Sequence, residues 1–190
     1  MRIGICGAQS VGKTTLLNAL RSERLFSDFK VCNEVTRRVN SYGLPINENG
    51  SDNTQRLIMH EHIVNVFMNN HFITDRTALD GVVYTHYLHE NGKVSDETMT
   101  YVSDIFFKLL PYYDRLFYIK PEFEIKNDGV RSIDLKFRDR IVELFDEYID
   151  SFLMVTVVKG SVRERVDIVM NEVRAMYREQ EMERDSACDY

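Results

Sequence analysis

A glycine-rich loop near the start of the sequence constrains this chain more than any other feature. Residues 7–14 read Gly-Ala-Gln-Ser-Val-Gly-Lys-Thr and match the pattern G-x-x-x-x-G-K-[ST] at every fixed position. An apolar segment at residues 2–6 leads directly into the loop, and a segment with helical character at residues 13–21 follows it. This strand–loop–helix setting is what the Walker A motif requires, so the loop is predicted to bind the phosphates of a nucleoside triphosphate.

Each residue type in the loop has a physical reason for its position. Gly7 and Gly12 let the backbone curl so that its N–H groups point at phosphate oxygens, and the following helix adds the positive end of its dipole. Lys13 is predicted to bridge the β- and γ-phosphates, and Thr14 to place its hydroxyl on a magnesium ion. The predicted nucleotide-binding residues of the loop are Gly7, Ala8, Gln9, Ser10, Val11, Gly12, Lys13, Thr14 and Thr15.

Apolar runs alternate with helical patterns along the rest of the chain. The runs at residues 2–6, 29–33, 71–75, 114–119 and 152–158 are predicted to be strands. The last run is continuously apolar and is therefore predicted to be buried on both faces. Five strands separated by helices predict a doubly wound α/β fold with a mostly parallel sheet.

The helical patterns also set the limits of the predicted domain. A helix from about residue 51 shows an approximate apolar stripe, and the final helix is predicted over residues 161–181. A chain of 190 residues fits one domain, so residues 1–181 are assigned to it and residues 182–190 to a polar tail. The members of the apolar stripe are Leu57, Ile58, Ile63, Val64, Phe67 and Met68.

The net charge and the apolar runs of the chain limit the classes of partner that are expected. The net charge of −6 argues against a broad electrostatic contact with nucleic acid, but it is compatible with a local cationic pocket. No apolar run approaches the roughly 18 residues of a membrane span, and the first residues leave no room for a signal peptide. The protein is therefore expected to be cytoplasmic, in the host cytoplasm if its source is viral, with no membrane partner.

The third predicted strand ends in an acidic–basic pair, Asp75-Arg76. Ligands bind at the carboxyl ends of the strands in such sheets, which places the pair near the phosphate loop. Asp75 would hold magnesium or accept a proton, and Arg76 would bind an acceptor phosphate or the phosphoryl group in transfer. The alternative is an exposed pair that starts a helix, with Asp80 as a capping or supporting residue.

A second set of candidates follows the second predicted strand. Glu34 is the first candidate for general base, because a carboxylate here would reach a hydroxyl in the strand-end crevice. Arg37 or Arg38 would bind an anionic acceptor through two parallel hydrogen bonds. Glu34 would alternatively only stabilise a helix N-terminus, and the choice between Glu34 and Asp75 as general base stays open.

A basic, polar segment at about residues 120–140 lies between the fourth predicted strand and the next helix. As a lid it would bring Arg131 and Arg138 to the phosphoryl group and exclude water, whereas the alternative is a solvated charged loop. Gly160 follows the fifth strand and suits a turn whose backbone approaches a nucleotide base, although any strand-to-helix turn would also use a glycine.

Together these motifs resemble the P-loop kinase-like ATPase family that includes the ribosylnicotinamide kinase domain and several phage nucleotide kinases. The resemblance implies a P-loop NTPase fold with strand order 2-3-1-4-5, and ATP and Mg²⁺ as cofactors. The matching features, in chain order, are the Walker A loop, Glu34-Val35-Thr36-Arg37, Asp75-Arg76, Asp128-Gly129-x-Arg131, Phe137-Arg138 and Gly160.

The predicted function is transfer of the γ-phosphoryl group of ATP to a hydroxyl or phosphate of a small nucleoside or nucleotide. One alternative is a kinase acting on hydroxymethyluracil within DNA, because phage kinases of that kind are similar in size and organisation. Another is a regulatory P-loop NTPase acting through protein partners. Against the latter, the chain lacks the N-K-x-D of guanine-selecting switches, and AAA-type motors require a larger chain with a helical lid domain. Whether the protein forms a homodimer stays open.

Overall fold

The computed structural model describes residues 1–32, 35–121 and 135–188. Its centre is a sheet of five strands in which every pairing is parallel. The strand order β2-β3-β1-β4-β5 confirms the predicted doubly wound P-loop fold. The strands are β1 Arg2–Cys6, β2 Lys30–Cys32, β3 Phe72–Asp75, β4 Arg115–Ile119 and β5 Val155–Val158.

Helices surround the sheet, and several begin where the sequence supplies a cap. The side chains of Ser51 and Ser95 each accept a backbone N–H from the first turn that follows, which starts α3 and α5. α5 ends shortly before Pro111, because proline cannot continue the hydrogen bonding of a helix. The helices are α1 Lys13–Leu20, α2 Val35–Ser41, α3 Asp52–Phe67, α4 Ala78–Glu90, α5 Asp96–Leu109, α6 Leu135–Ile149 and α7 Val162–Cys188.

The three central strands form the core of the molecule. The side chains of Ile5, Ile73 and Phe117, one from each central strand, are completely buried. The start of α4 approaches β1 closely at Gly4, where an added Cβ would lie 2.3 Å from the Cγ2 of Thr77. A glycine at this position therefore lets the beginning of α4 pack beside the strand that leads into the phosphate loop.

The fifth strand differs from its prediction. β5 begins at Val155 and lies at the edge of the sheet, where among the described residues it pairs only with β4, so the expectation of burial on both faces is wrong. Val157 is 40% exposed, and Leu153, which was assigned to the same strand, is fully exposed. An apolar run indicates that its residues favour a buried strand, but it does not distinguish a central strand from an edge strand.

The apolar stripe predicted for α3 faces the interior only in part: Ile58 is buried, and Leu57 and Ile63 pack against hydrophobic clusters. Val64, Phe67 and Met68 are 49%, 56% and 75% exposed. Beside apolar residues such as Met59, the buried face of the helix also carries polar side chains, among them Gln55 and His62, which are both 1% exposed. A polar residue on a buried helix face needs hydrogen-bond partners, so this face marks a specialised region of the molecule.

The final helix is longer than predicted. α7 continues to Cys188, beyond the end expected at residue 181, because residues 182–188 contain neither glycine nor proline to stop it. Among the described residues, no helix combines the length and the apolar character that crossing a membrane would require.

Candidate active site

The loop between β1 and α1 has a backbone that favours glycine. Gly7 and Gly12 have φ values of 141° and 93°, and Ser10 lies in the left-handed region with φ of 63°. A Cβ at Gly7 would lie 2.7 Å from the carbonyl oxygen of Ile119, so a side chain there would collide with β4. The fixed glycines of the motif are thus required by the backbone and by its contact with the sheet.

The ammonium group of Lys13 lies inside this loop. Its Nζ donates hydrogen bonds to the carbonyl oxygens of Gly7 and Ala8, both at 2.6 Å, and the side chain is buried. α1 begins at Lys13, so the positive end of the helix dipole lies at the same place. A buried cation and a helix N-terminus together form a site suited to phosphate oxygens.

Thr14 and Asp75 meet beside the loop. The Oγ1 of Thr14 donates a hydrogen bond to the Oδ2 of Asp75 at 2.5 Å, because β1 and β3 pair so that Ile5 lies opposite Asp75. The carboxylate is buried, and its Oδ1 has no hydrogen-bond partner among the described residues. A buried carboxylate oxygen without a partner is costly, and a cation next to it would remove that cost.

These two side chains fit Mg²⁺. The ion prefers oxygen ligands and is usually bound by one or two carboxylates together with phosphates and water. Within the part of the chain that is described, no cluster of three or more His, Cys, Asp or Glu side chains could hold a metal by itself. Thr14 and Asp75 would therefore supply the protein ligands of an ion that is completed by a nucleotide.

Arg76 has an unusual backbone conformation directly after β3. Its φ is 75°, and the turn is held by hydrogen bonds from the Arg76 N–H to the Ile5 carbonyl and from the Thr74 hydroxyl to the Arg76 carbonyl. The guanidinium group lies 5.0 Å from the centre of the Tyr84 ring, and its Nη1 is 3.9 Å from the Oδ1 of Asp80. The strained turn therefore directs this cation towards α4.

Asp80 connects the phosphate loop with the start of α4. Its Oδ1 accepts the backbone N–H of Gly7 at 3.3 Å, and its Oδ2 accepts the N–H and the hydroxyl of Thr77 at 2.9 and 3.1 Å. Burial raises the pKa of Asp80, while the charges of Lys13 and Arg76 act in the opposite direction. The capping role expected of Asp80 is present, and the contact with Gly7 adds a link that the sequence pattern does not reveal.

A groove of about 430 Å³ lies on one side of the Thr14–Asp75 pair. Arg37 and Arg38 line it from the exposed face of α2. Arg38 also forms an ion pair with Glu61 of α3, with 2.6 Å between Nη1 and Oε2. The groove thus brings the two predicted acceptor-binding arginines to the same side of the loop as the predicted metal ligands.

A second pocket lies between α2, α3 and α4, and Arg76 is one of the residues that line it. The Nδ1 of the buried His62 ring has no hydrogen-bond partner among the described residues, and burial together with the charge of Arg76 lowers the His62 pKa to about 3. Gln55 accepts the hydroxyl of Thr85 through its Oε1 at 3.0 Å. The further lining residues are Thr36, Asn47, Ile58, Asp80, Gly81 and Tyr84.

The structure describes two further site residues that the sequence predicted, Arg138 and Gly160. Arg138 is buried in the first turn of α6, next to Phe137, whose ring packs edge-on against Tyr84. Gly160 has a φ of 91°, and its carbonyl accepts a hydrogen bond from Arg165. The predicted sites at Glu34 and Arg131, and most of the predicted lid, lie outside the described residues.

Sequence reasoning missed three residues of this region. His62 and Gln55 were not selected, and the available signal was a set of polar residues on the buried face of an otherwise regular helix. Arg165 was also missed, although it donates a hydrogen bond to the carbonyl of Val11 in the phosphate loop at 2.8 Å. No local pattern around Arg165 indicates this contact.

A family model described as AAA domain matches residues 2–165 of the chain. Among solved structures, the NadR protein in complex with NR superposes with a TM-score of 0.61 at 18% identity, covering 84% of this chain and 45% of that protein. The chain therefore spans about half the length of the NadR protein. Among curated proteins, none matches the chain significantly.

Two further solved structures match over nearly the whole chain. Deoxyadenosine kinase from M. mycoides with bound dATP has a TM-score of 0.62 at 14% identity, covering 92% of this chain and 100% of that one. The YorR protein from Bacillus subtilis, in complex with phosphorylated GDP, has a TM-score of 0.60 at 14% identity, with coverages of 94% and 98%. At these identities the likeness shows that the folds are shared.

Proposed function

The chain belongs to the AAA domain family, whose model includes the phosphate loop, and from this premise we propose that it is an ATP- and Mg²⁺-dependent P-loop kinase. Its acceptor would be a small nucleoside or nucleotide. The observation that carries the proposal is the adjacency of Asp75 and Arg76. Asp75 contacts Thr14 on the triphosphate side, while Arg76, the next residue, lines the pocket between α2, α3 and α4.

This adjacency is what phosphoryl transfer requires. The acceptor must lie in line with the γ-phosphate and within bonding distance, so the donor and acceptor sites have to meet at one point. A regulatory NTPase needs only a water molecule at that point and no second pocket. The arrangement therefore favours a kinase over a switch that acts through protein partners.

The chemistry of the second pocket favours an uncharged hydrogen-bonding group at its far end. His62 is held neutral, and Gln55 and Thr36 offer amide and hydroxyl groups, which suit the edge of a nucleobase better than they suit a phosphate. The free space is only about 10 Å³, room for about one water molecule, so its walls would have to separate when an acceptor binds. One of the structural neighbours is a deoxyadenosine kinase, which is in keeping with such an acceptor.

In the proposed mechanism the protein positions the reactants and neutralises charge. Lys13 would bind the β- and γ-phosphates, and Arg76 would stabilise the negative charge that develops during transfer. Thr14 and Asp75 would hold Mg²⁺, which supplies further charge neutralisation on the phosphates. Because Asp75 is then engaged with the metal, Glu34 is the proposed general base, and Arg131 and Arg138 the proposed lid cations.

The test is incubation of the protein with γ-labelled ATP, Mg²⁺ and a panel of nucleosides, deoxynucleotides and DNA containing hydroxymethyluracil. We expect label on a nucleoside or nucleotide, and its loss in Lys13→Ala. Lys108→Ala, which removes an exposed lysine of α5, is the matched control and should retain activity. Label on the DNA alone would identify the alternative kinase, and label released only as free phosphate would contradict the kinase proposal and favour a regulatory NTPase.

A further inference from the structure

Arg165, near the start of α7, is a buried cation that contacts the backbone of the phosphate loop. Its Nη1 donates a hydrogen bond to the carbonyl oxygen of Val11 at 2.8 Å, and its Nε donates one to the carbonyl of Gly160 at 2.8 Å. An added Cβ at Gly12 would lie 3.3 Å from the same Nη1. The guanidinium group therefore lies directly beside the peptide between Val11 and Gly12.

The hydrogen bond from Arg165 to the Val11 carbonyl determines the direction of the Gly12 N–H. A peptide group is planar, and in the trans form its C=O and N–H point in opposite directions. Since the Val11 carbonyl points to Arg165, the N–H of Gly12 points away from α7. Gly12 has a φ of 93° and no side chain to restrain it, so a neighbouring group is needed to hold this peptide in one orientation.

The second hydrogen bond joins two parts of the nucleotide site. Gly160 belongs to the turn between β5 and α7, which is the predicted position of the nucleotide base, and Val11 belongs to the loop predicted to bind phosphates. The planar guanidinium fork donates in two fixed directions at once, which a lysine ammonium on a flexible stem does not reproduce. Arg165 therefore holds the two parts at a fixed separation.

We propose that Arg165 is a positioning residue for the triphosphate: it directs the Gly12 N–H to a phosphate oxygen and fixes the loop against the base-side turn. It acts through the backbone of the loop and does not itself react. The inference rests on triphosphate binding by the loop, but it does not depend on which acceptor is phosphorylated or on whether transfer occurs.

The test measures binding directly, with ATP and with inorganic tripolyphosphate as ligands, so that its outcome is separate from that of the transfer assay. Arg165→Gln is expected to lose about tenfold to a hundredfold in affinity for both ligands, as removal of a charged hydrogen-bond donor typically does. Arg165→Lys should lose less, because one donor can still reach one carbonyl. Arg174→Gln, which removes an exposed arginine of the same helix, is the control and should bind like the unaltered protein.

A second measurement distinguishes the proposed positioning role of Arg165 from a role in stability alone. It follows the Gly12 amide signal in NMR spectra as tripolyphosphate is added. The proposal expects a large shift of this signal in the unaltered protein and in Arg174→Gln, and a reduced shift in Arg165→Lys. If Arg165→Gln fails to fold, Arg165→Lys decides. Unchanged tripolyphosphate affinity together with an unchanged Gly12 shift in the Lys variant would overturn the proposal.

Discussion

At the scale of single residues, the two oxygens of the Asp75 carboxylate differ in a way that can be tested. One accepts the Thr14 hydroxyl, and the other is buried without a partner among the described residues. The substitution Asp75→Asn keeps the shape but removes the charge. Changes outside the inner ligand shell already cost about 10- to 100-fold in metal affinity, so loss of this charge is expected to cost at least about tenfold.

The measurement for Asp75→Asn is the Mg²⁺ concentration that gives half-maximal nucleotide binding or turnover. We expect the variant to require at least tenfold more Mg²⁺ while its free energy of unfolding changes little, since the amide still accepts the Thr14 hydroxyl. Asp167→Asn, at an exposed position of α7, should leave the Mg²⁺ requirement unchanged. An unaltered requirement in Asp75→Asn would exclude Asp75 as a metal ligand.

The sequence allowed prediction of those residues whose neighbours in the chain already indicate their surroundings. Lys13 and Thr14 belong to a motif, and Asp75 and Arg76 follow an apolar run that could be recognised as a strand. Arg165 could not be found in this way, because its partner Val11 is 154 positions away. Only folding of the chain brings the start of α7 next to the phosphate loop.

At the scale of elements, Asp80 couples the start of α4 to the phosphate loop, so one substitution is expected to weaken both. In Asp80→Asn the amide nitrogen cannot accept a hydrogen bond, which leaves either the Thr77 or the Gly7 N–H without its partner. Loss of a cap costs about 1 kcal/mol, and a buried unsatisfied donor costs about 1–3 kcal/mol. We expect the free energy of unfolding to fall by about 1–3 kcal/mol in urea denaturation.

Asp96→Asn is the matched control for Asp80→Asn, because Asp96 also lies in the first turn of a helix but has a side chain that is almost fully exposed. Its stability should change by less than about 0.5 kcal/mol. Asp80→Asn should in addition weaken ATP binding, because the Gly7 peptide is part of the loop. Equal stability of the two variants would show that the link between α4 and the loop has no energetic weight.

The five strands and their order along the chain were predictable, and so was a helix at the position of α3, but the burial of β5 and of α3 was not. β5 has the apolar sequence of a central strand, and α3 has an apolar stripe that includes Val64 and Phe67. Both patterns describe local preference, whereas burial depends on which neighbours the topology places there. In α3 the polar face containing Gln55 and His62 is turned inward towards a pocket, and the apolar residues Val64 and Phe67 remain exposed.

At the scale of the whole molecule, the buried His62 makes stability depend on pH. Its pKa is about 3 in the folded protein and 6.5 when exposed, so between these values the unfolded chain binds a proton that the folded chain does not. The free energy of unfolding contributed by this group is therefore fully present above pH 6.5 and is lost as the pH falls from 6.5 towards 3. Within that window the slope approaches about 1.4 kcal/mol per pH unit.

The measurement is urea denaturation at several pH values between 7 and 4, comparing the unaltered protein with His62→Gln. The glutamine does not titrate, so the variant should lose stability less steeply with falling pH, and the difference in slope isolates His62 from the carboxylates that titrate in both proteins. His60→Gln, at an exposed position of the same helix, should keep the slope of the unaltered protein. Parallel stability curves for His62→Gln and the unaltered protein would mean that His62 can be protonated in the folded state, which contradicts a pocket held neutral for an uncharged acceptor group.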